Sequence, residues 1–325
     1  MSEILATGAA MERALALLEA GGIVVIPTET VYGLAGDATN GVAVAGIFEA
    51  KGRPSFNPLI VHVSDMAMAE RIADFDPLSR KLAAAFWPGP LTLVLPIARG
   101  GGLHPLVTAG LETVGLRMPV GFGADLIARL GRPLAAPSAN SSGKISGTTA
   151  AAVAADLGGK VPLIVDGGPT RIGVESTIVK VEGGRPRLLR PGGIASERIE
   201  EIAGQTMLRA DPARTGIEAP GMLASHYAPG AAVRLDAAEV RPSEALLAFG
   251  PTPPSGSEHA AATLNLSASG DLREAASNLF SHLLALDLSG AASIAVQPIP
   301  QSGLGEAIND RLRRAAAPRT ATPQD

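Results

Sequence analysis

Cysteine is absent from the chain, which excludes disulfides, thiolate metal sites and a cysteine nucleophile and agrees with a reducing compartment. Aromatic residues make up only 3% of the 325 residues, so the sequence offers no evident platform for stacking nucleobases. Basic charge is not in excess either: 27 Lys and Arg against 31 Asp and Glu give a formal charge of -4. That balance argues against a broad cationic surface for nucleic acid. No apolar run approaches the roughly 20 residues of a membrane span. The opening MSEILATGAAMERALALLEAGG carries Glu3, Glu12 and Arg13 and lacks the basic start, apolar stretch and cleavage site of a secretory signal. These absences lead to the expectation of a cytoplasmic protein, with no membrane contact, acting on a small molecule.

Familiar site motifs are also missing. There is no GxxxxGKS/T phosphate loop, no GxGxxG opening a helix after the first strand, no GxSxG elbow and no HExxH. Five histidines, His62, His104, His226, His259 and His282, make a His-rich metal site implausible.

What is present is an ordinary globular composition, 46% hydrophobic and 18% charged, in a chain long enough for about two domains. Helix-like and strand-like segments alternate through the first two-thirds. Met11, Leu15 and Leu18 recur at helical spacing before Gly21-Gly22, and IVVIP at 23 to 27 reads as a buried strand. GVAVAGIFEAKG predicts a helix ending at Gly52, and DPLSRKLAAAFW a helix capped by Asp76 with Pro77 at its first position. PLIVHV, PLTLVLP, VGLRMP, PLAAPSAN and PLIVDGG read as strands, GFGADLIARLG as a helix, and STIVKVEGGRPRLLR as a hairpin turning at Gly183-Gly184. A further helix is opened by Thr148 or Thr149. From about residue 205 the periodicity stops, and DPARTGIEAPGMLASHYAPG reads as a linker. Beyond it AAVRLD, ALLAFG, TLNLS and SIAVQP predict strands and two helices follow the same pattern, a second, smaller α/β domain.

Polar groups of the first domain gather in five stretches at strand ends, where open α/β sheets place their ligands. They are TETVYGL (28–34), KGRPSFNPLIVH (51–62), VGLRMP (114–119), APSANSSGKISGTT (136–149), and GGPTRIGVESTIV (167–179) followed by LLRPGG (188–193). Lys51 and Arg53 follow a helix end, where the helix dipole by itself favours cations. Arg117 and Arg190 differ, because each lies within or just after an apolar strand, where an unpaired guanidinium is costly. A bound anion is the expected partner, and the planar fork of arginine suits phosphate and carboxylate. Four such cations in an acidic chain point to a polyanion such as a nucleoside triphosphate. Ser138, Asn140, Ser141 and Ser142 suit either a ligand's polar edge or a turn, and Glu175, Ser176 and Thr177 equally suit the start of the hairpin. His62 alternates with Ile60 and shares its side; alone, such a histidine is more often part of a core or edge than a catalyst. The residues by themselves reach an α/β protein with an anion or nucleotide pocket, and leave the reaction open.

In this order PTETVYGL, AKGRPSFNPLIVHV, FWPGPLTLVL, VGLRMP, APSANSSG, DGG, GVESTIV and LLRPGG resemble the YrdC-type domain of the L-threonylcarbamoyladenylate synthase family, over nearly all of residues 10 to 205. The linker with SHYAPG and the small domain after it resemble the family's long, two-domain members. The resemblance implies a YrdC-like twisted mixed sheet with flanking helices at 1–205, a linker and possible active-site lid at 206–230, and a smaller Rossmann-like α/β domain at 231–325. It implies synthesis of threonylcarbamoyl-AMP and pyrophosphate from L-threonine, bicarbonate or CO2, and ATP with Mg2+. The product would feed a downstream tRNA threonylcarbamoyl transferase acting on the adenosine beside the anticodon, with direct tRNA binding left open.

By the same resemblance the family's KxR and SxN fall on Lys51, Arg53, Ser138 and Asn140, with Lys51 and Arg53 the catalytic pair. Thr30, His62, Arg117, Ser138 and Ser176 would bind L-threonine. Arg53, Asn57, Thr113, Asn140, Thr148, Arg190 and Tyr227 would bind ATP. Two competing readings are a carbamoyl-phosphate-dependent carbamoyltransferase, whose relatives carry zinc-finger cysteines missing here, and a double-stranded RNA-binding module, for which the charge and aromatic content offer no support.

Overall fold

The computed structural model describes residues 2–209, 218–222 and 226–318. The chain forms two compact units, Met1–Ser142 with Gly147–Met222, and Gly143–Ser146 with Leu223–Asp325. The first unit is built on eleven strands: β1 (Glu3–Ala6), β2 (Ile23–Ile26), β3 (Gly33–Asp37), β4 (Ile60–His62), β5 (Leu91–Pro96), β6 (Thr113–Arg117), β7 (Leu134–Ala135), β8 (Leu163–Asp166), β9 (Thr177–Glu182), β10 (Arg185–Arg190) and β11 (Leu208–Arg209). They form one sheet in the order β1-β8-β2-β3-β7-β4-β6-β5-β9-β10-β11. The sheet is mixed: β4 and β6 run parallel, as do β5 and β9, whereas β5 and β6 are antiparallel.

Local chemistry sets the element ends. Asn40 accepts the Val42 and Ala43 N–H groups to open the helix Gly41–Lys51, and Gly52, at φ 58°, closes it in the left-handed region that glycine adopts without strain. Asp76 caps the helix Pro77–Phe86 by accepting from Leu78 and Ser79, both at 2.9 Å. Thr149, rather than Thr148, caps the helix Ala150–Leu157 through the Ala152 N–H. Gly183 and Gly184 both take positive φ, as a two-residue hairpin turn with the sheet's twist requires.

Period-2 alternation gives the sheet two chemically different faces. Val61, Val63, Leu91, Leu93, Leu95, Val114, Leu116, Val179 and Leu188 point into the main core, where helices supply Leu15, Leu18, Ile47, Leu82, Leu126 and Val153. Each such burial is worth about 1.5–3 kcal/mol. On the alternate positions of the same strands sit Ile60, His62, Thr92, Val94, Thr113, Gly115, Arg117, Ile178 and Leu189. Ile60, Val94, Ile178 and Leu189 form a separate small cluster with Ala219 and Met222. The polar members of that second face are what the fold positions.

Among the described residues the second unit has four parallel strands, β12 (Ala232–Arg234), β13 (Glu244–Ala248), β14 (Thr263–Asn265) and β15 (Ser293–Val296), in the order β12-β15-β13-β14. The helices Leu272–Asp287 and Gly305–Ala316 complete it. All four expected strands are there. The sequence reading lacked β1, β3, β11 and the helices Met66–Ile72, Pro105–Thr108 and Ser196–Ala203, and only two residues of PLAAPSAN are strand. Of the linker expected at 206–230, residues 210–217 and 223–225 lie outside the described residues. Among the described residues no helix is long and apolar enough to cross a membrane.

Candidate active site

The five stretches singled out in the sequence are laced to one another. Ala139 N–H donates to Tyr32 O at 2.7 Å and Leu34 N–H to Pro137 O at 2.8 Å, joining TETVYGL to APSAN. Ile172 and Gly173 donate to Glu29 O and Thr30 O, Thr170 to Thr148 O, Ser142 to Lys51 O, and Gly193 to Glu175 O. β4 and β6 pair directly, so that His62 stands opposite Arg117.

That pairing creates a buried polar cluster. Arg117 is 4% exposed. Its Nη2 donates to Glu29 Oε1 at 2.6 Å and its Nε to the Gly89 carbonyl at 3.3 Å, while Glu29 Oε2 accepts the Val120 N–H at 3.2 Å. The anion expected for Arg117 is therefore supplied first by the protein itself, from a loop 88 residues away in sequence. His62 is 3% exposed, and neither ring nitrogen has a hydrogen-bond partner. Burial, and then the adjacent Arg117 guanidinium, push its imidazole well below the ordinary histidine range, so it is neutral. A neutral imidazole carries one donor and one acceptor, and here both await a partner. Thr30, fully buried, shares a 2.9 Å hydroxyl contact with Thr28 on the same loop as Glu29.

Lys51 organises the neighbouring loops. Its Nζ donates to the carbonyls of Ser138 and Asn140, both at 2.5 Å, which joins the KxR and SxN segments physically. Burial, and then the Arg53 charge, lower its pKa well below the lysine value, while Asp156 and Glu175 pull it back up. Arg53 spans its own loop, Nε to Asn57 O at 3.1 Å and Nη2 to Pro58 O at 2.8 Å. This tie turns Asn57 inward: it is 1% exposed and its Oδ1 lacks a partner. Asn140 is buried in the SxN segment, and its Nδ2 donates to Ser141 O.

Ser176 closes the other flank. Its hydroxyl lies 2.8 Å from that of Thr92, and Arg190 donates to the Ser176 carbonyl through Nη2 at 3.0 Å and Nε at 3.3 Å. Arg190 Nη1 reaches Pro220 O at 3.3 Å, so this arginine too has protein partners where a bound anion was expected. Between the two flanks the floor is Gly115, where a Cβ would lie 3.3 Å from Thr92 Cγ2 and 3.6 Å from Ile60 Cγ1.

Thr113 shares the face of Arg117 but stands at the far end of β6, about 13 Å along the strand. Thr148 is buried in the loop before the Thr149 cap. Tyr227 belongs to the second unit, where its ring packs against His226 and Phe280 and lies 5.3 Å from the Arg311 guanidinium. Sequence reasoning passed over Glu29 and Thr92. Glu29 lies within PTET, but nothing local marks it as the partner of Arg117.

Residues 16–192 match a family described as telomere recombination, and residues 194–317 one described as the threonylcarbamoyl-AMP synthase C-terminal domain. The chain is 42% identical to the threonylcarbamoyl-AMP synthase of Pyrococcus abyssi, over 94% of both chains. It is 41% identical to that of Bacillus subtilis, over 94% of this chain and 93% of the other. The crystal structure of P. abyssi Sua5 complexed with L-threonine superposes with a TM-score of 0.86 at 37% identity, over 97% of each chain. With both of its units matched along their length, the chain belongs to the threonylcarbamoyl-AMP synthase family.

Proposed function

We propose that the chain condenses L-threonine, bicarbonate or CO2, and ATP into threonylcarbamoyl-AMP and pyrophosphate, supplying a tRNA threonylcarbamoyl transferase in the cytoplasm. The observation that carries the reading is one sheet face on which a buried, neutral His62 with two unpartnered nitrogens stands beside Arg117, with Lys51 at the end of the helix Gly41–Lys51, Arg53 on the loop after it and Arg190 at the end of β10. Arg117 suits the threonine carboxylate, and Thr30, His62, Ser138 and Ser176 suit its hydroxyl and amine. Asn57, Thr113, Asn140, Thr148 and Arg190 would contact ATP; for Tyr227 the same role rests on the family resemblance alone.

In the proposed chemistry the threonine ammonium first gives one proton to water, the free amine bonds to the carbon of CO2, and a second proton leaves to water, giving a carbamate. A carbamate oxygen then attacks the α-phosphate of ATP in line as pyrophosphate leaves. The protein forms no covalent bond in this sequence, so positioning and charge dominate. Lys51 holds the SxN loop with two N–H groups and keeps a third for the α-phosphate; Arg53 flanks it. Among the described residues no group of three or more His, Asp or Glu forms a metal cage. Mg2+ would arrive on the ATP phosphates, its usual mode of binding.

Incubation with ATP, Mg2+, L-threonine and 13C-bicarbonate tests the reading by mass spectrometry. It predicts threonylcarbamoyl-AMP carrying the label; ATP consumed in the presence of threonine with no labelled threonylcarbamoyl-AMP formed would contradict it.

A further inference from the structure

Glu29 stands at the centre of the cluster on which threonine is proposed to bind. Its two oxygens accept from Arg117 Nη2 and Val120 N, and the Glu29 and Arg117 side chains are each 5% exposed. A carboxylate offers about four acceptor directions, and two are used. Arg117 donates through Nε and Nη2, which leaves the two hydrogens of Nη1 for a ligand.

The charges of this pair constrain what can join it. A simple carboxylate docking on Arg117 would place two carboxylates on one guanidinium away from water, where repulsion is weakly screened. A ligand with a carboxylate and an ammonium on one carbon avoids this. Its carboxylate meets Arg117, its ammonium meets the open acceptor positions of Glu29, and the four charges cancel. His62 and the hydroxyl of Thr30, uncharged and adjacent, then serve the remaining polar group of the ligand.

We propose that Glu29 is a specificity-determining residue that receives the ammonium of the amino-acid substrate, so that the Glu29–Arg117 pair selects α-amino acid zwitterions. The inference rests on the reading of this face as the threonine site. It predicts that deleting the amine from the ligand is as damaging as deleting the charge from Glu29.

Titration calorimetry on the full chain tests it, with L-threonine and with 3-hydroxybutyrate, which keeps the carboxylate and hydroxyl and lacks the amine. The unaltered protein should bind threonine at least about tenfold more tightly than 3-hydroxybutyrate, the scale of one charge-assisted hydrogen bond. Glu29→Gln, which keeps shape and hydrogen bonding, should bring the two affinities together, and Glu29→Asp should restore part of the preference. Equal loss of both ligands in Glu29→Gln would assign Glu29 a structural role alone and overturn the proposal. If that variant fails to fold, the unaltered protein decides: equal binding of the two ligands overturns the inference. Absence of any threonine binding would overturn the threonine site and the inference together, whereas threonine binding without preference overturns the inference only.

Discussion

His62 and Lys51 are both buried cation formers, yet they are treated differently: His62 is left without partners, while Lys51 is given two backbone carbonyls. For His62 the folded pKa lies below the unfolded value of about 6.5. Its contribution to stability is therefore complete above pH 6.5 and is lost as the pH falls from there toward the folded value, by at most about 1.4 kcal/mol per pH unit. Urea unfolding at pH 7.5 and 5.5 should show a smaller acid loss in His62→Gln than in the unaltered protein; equal losses would remove His62 as the cause. Lys51→Ala removes the buried donor shared by the Ser138 and Asn140 carbonyls, although Ser138 O keeps the Asn140 N–H at 3.0 Å, and costs about 1–3 kcal/mol. Turnover should fall further, by at least about 100-fold. Thermal melting and initial rates measured together would separate the two, and near-normal turnover would deny Lys51 its proposed role. At this scale the sequence exposed half of each interaction. An arginine in VGLRMP announces an unmet charge, but its partner Glu29 is far along the chain, and only folding brings the two together.

Strands and their spacing carried more information than single residues did. Ile60 and His62 alternate in the sequence and do share a face, as do Thr113, Gly115 and Arg117, because a strand's side-chain period is fixed at two. β3, with the sequence GLAGD, was invisible for the opposite reason. Its glycines deny it a strand's composition, and the fold needs them there: a Cβ on Gly36 would lie 3.2 Å from both Ala43 O and Ile47 Cδ1 of the covering helix. LLRPGG shows a similar close approach. A Cβ on Gly192 would come within 2.4 Å of the backbone of Glu175, Ser176 and Thr177. Gly192→Ala must therefore shift the entry to β9, and Ser176 with it. It should destabilise the protein by about 2 kcal/mol or more and raise the threonine concentration needed for half-maximal rate. An unchanged threonine dependence would show that the position of Ser176 is immaterial.

Across the whole molecule, composition and periodicity anticipated two α/β units, and the structure has two, each with its own sheet. The sequence could not show the lacing between stretches, because backbone hydrogen bonds such as Ala139 to Tyr32 have no residue signature. The second unit has its own electrostatic support. Arg234 binds both carboxylate oxygens of Glu244, and the Arg241 N–H and the Ser293 hydroxyl add to it. Together they hold the Glu244 carboxyl at about 2, against 4.5 when unpaired, although burial works the other way. This stabilisation is present above pH 4.5 and is lost as the pH falls toward 2, with a ceiling of about 3 kcal/mol. Hydrogen exchange of β13 across that window should be more acid-sensitive in the unaltered protein than in Glu244→Gln; matching profiles would place the acid response elsewhere.

The central claim is that one face of the large sheet joins threonine to the α-phosphate of ATP. Pyrophosphate release from ATP and Mg2+ in bicarbonate buffer, with L-threonine, with L-serine and with neither, tests it most directly. The account predicts release that depends on threonine and is accompanied by threonylcarbamoyl-AMP. Release at the same rate without threonine, or none in its presence, would contradict it.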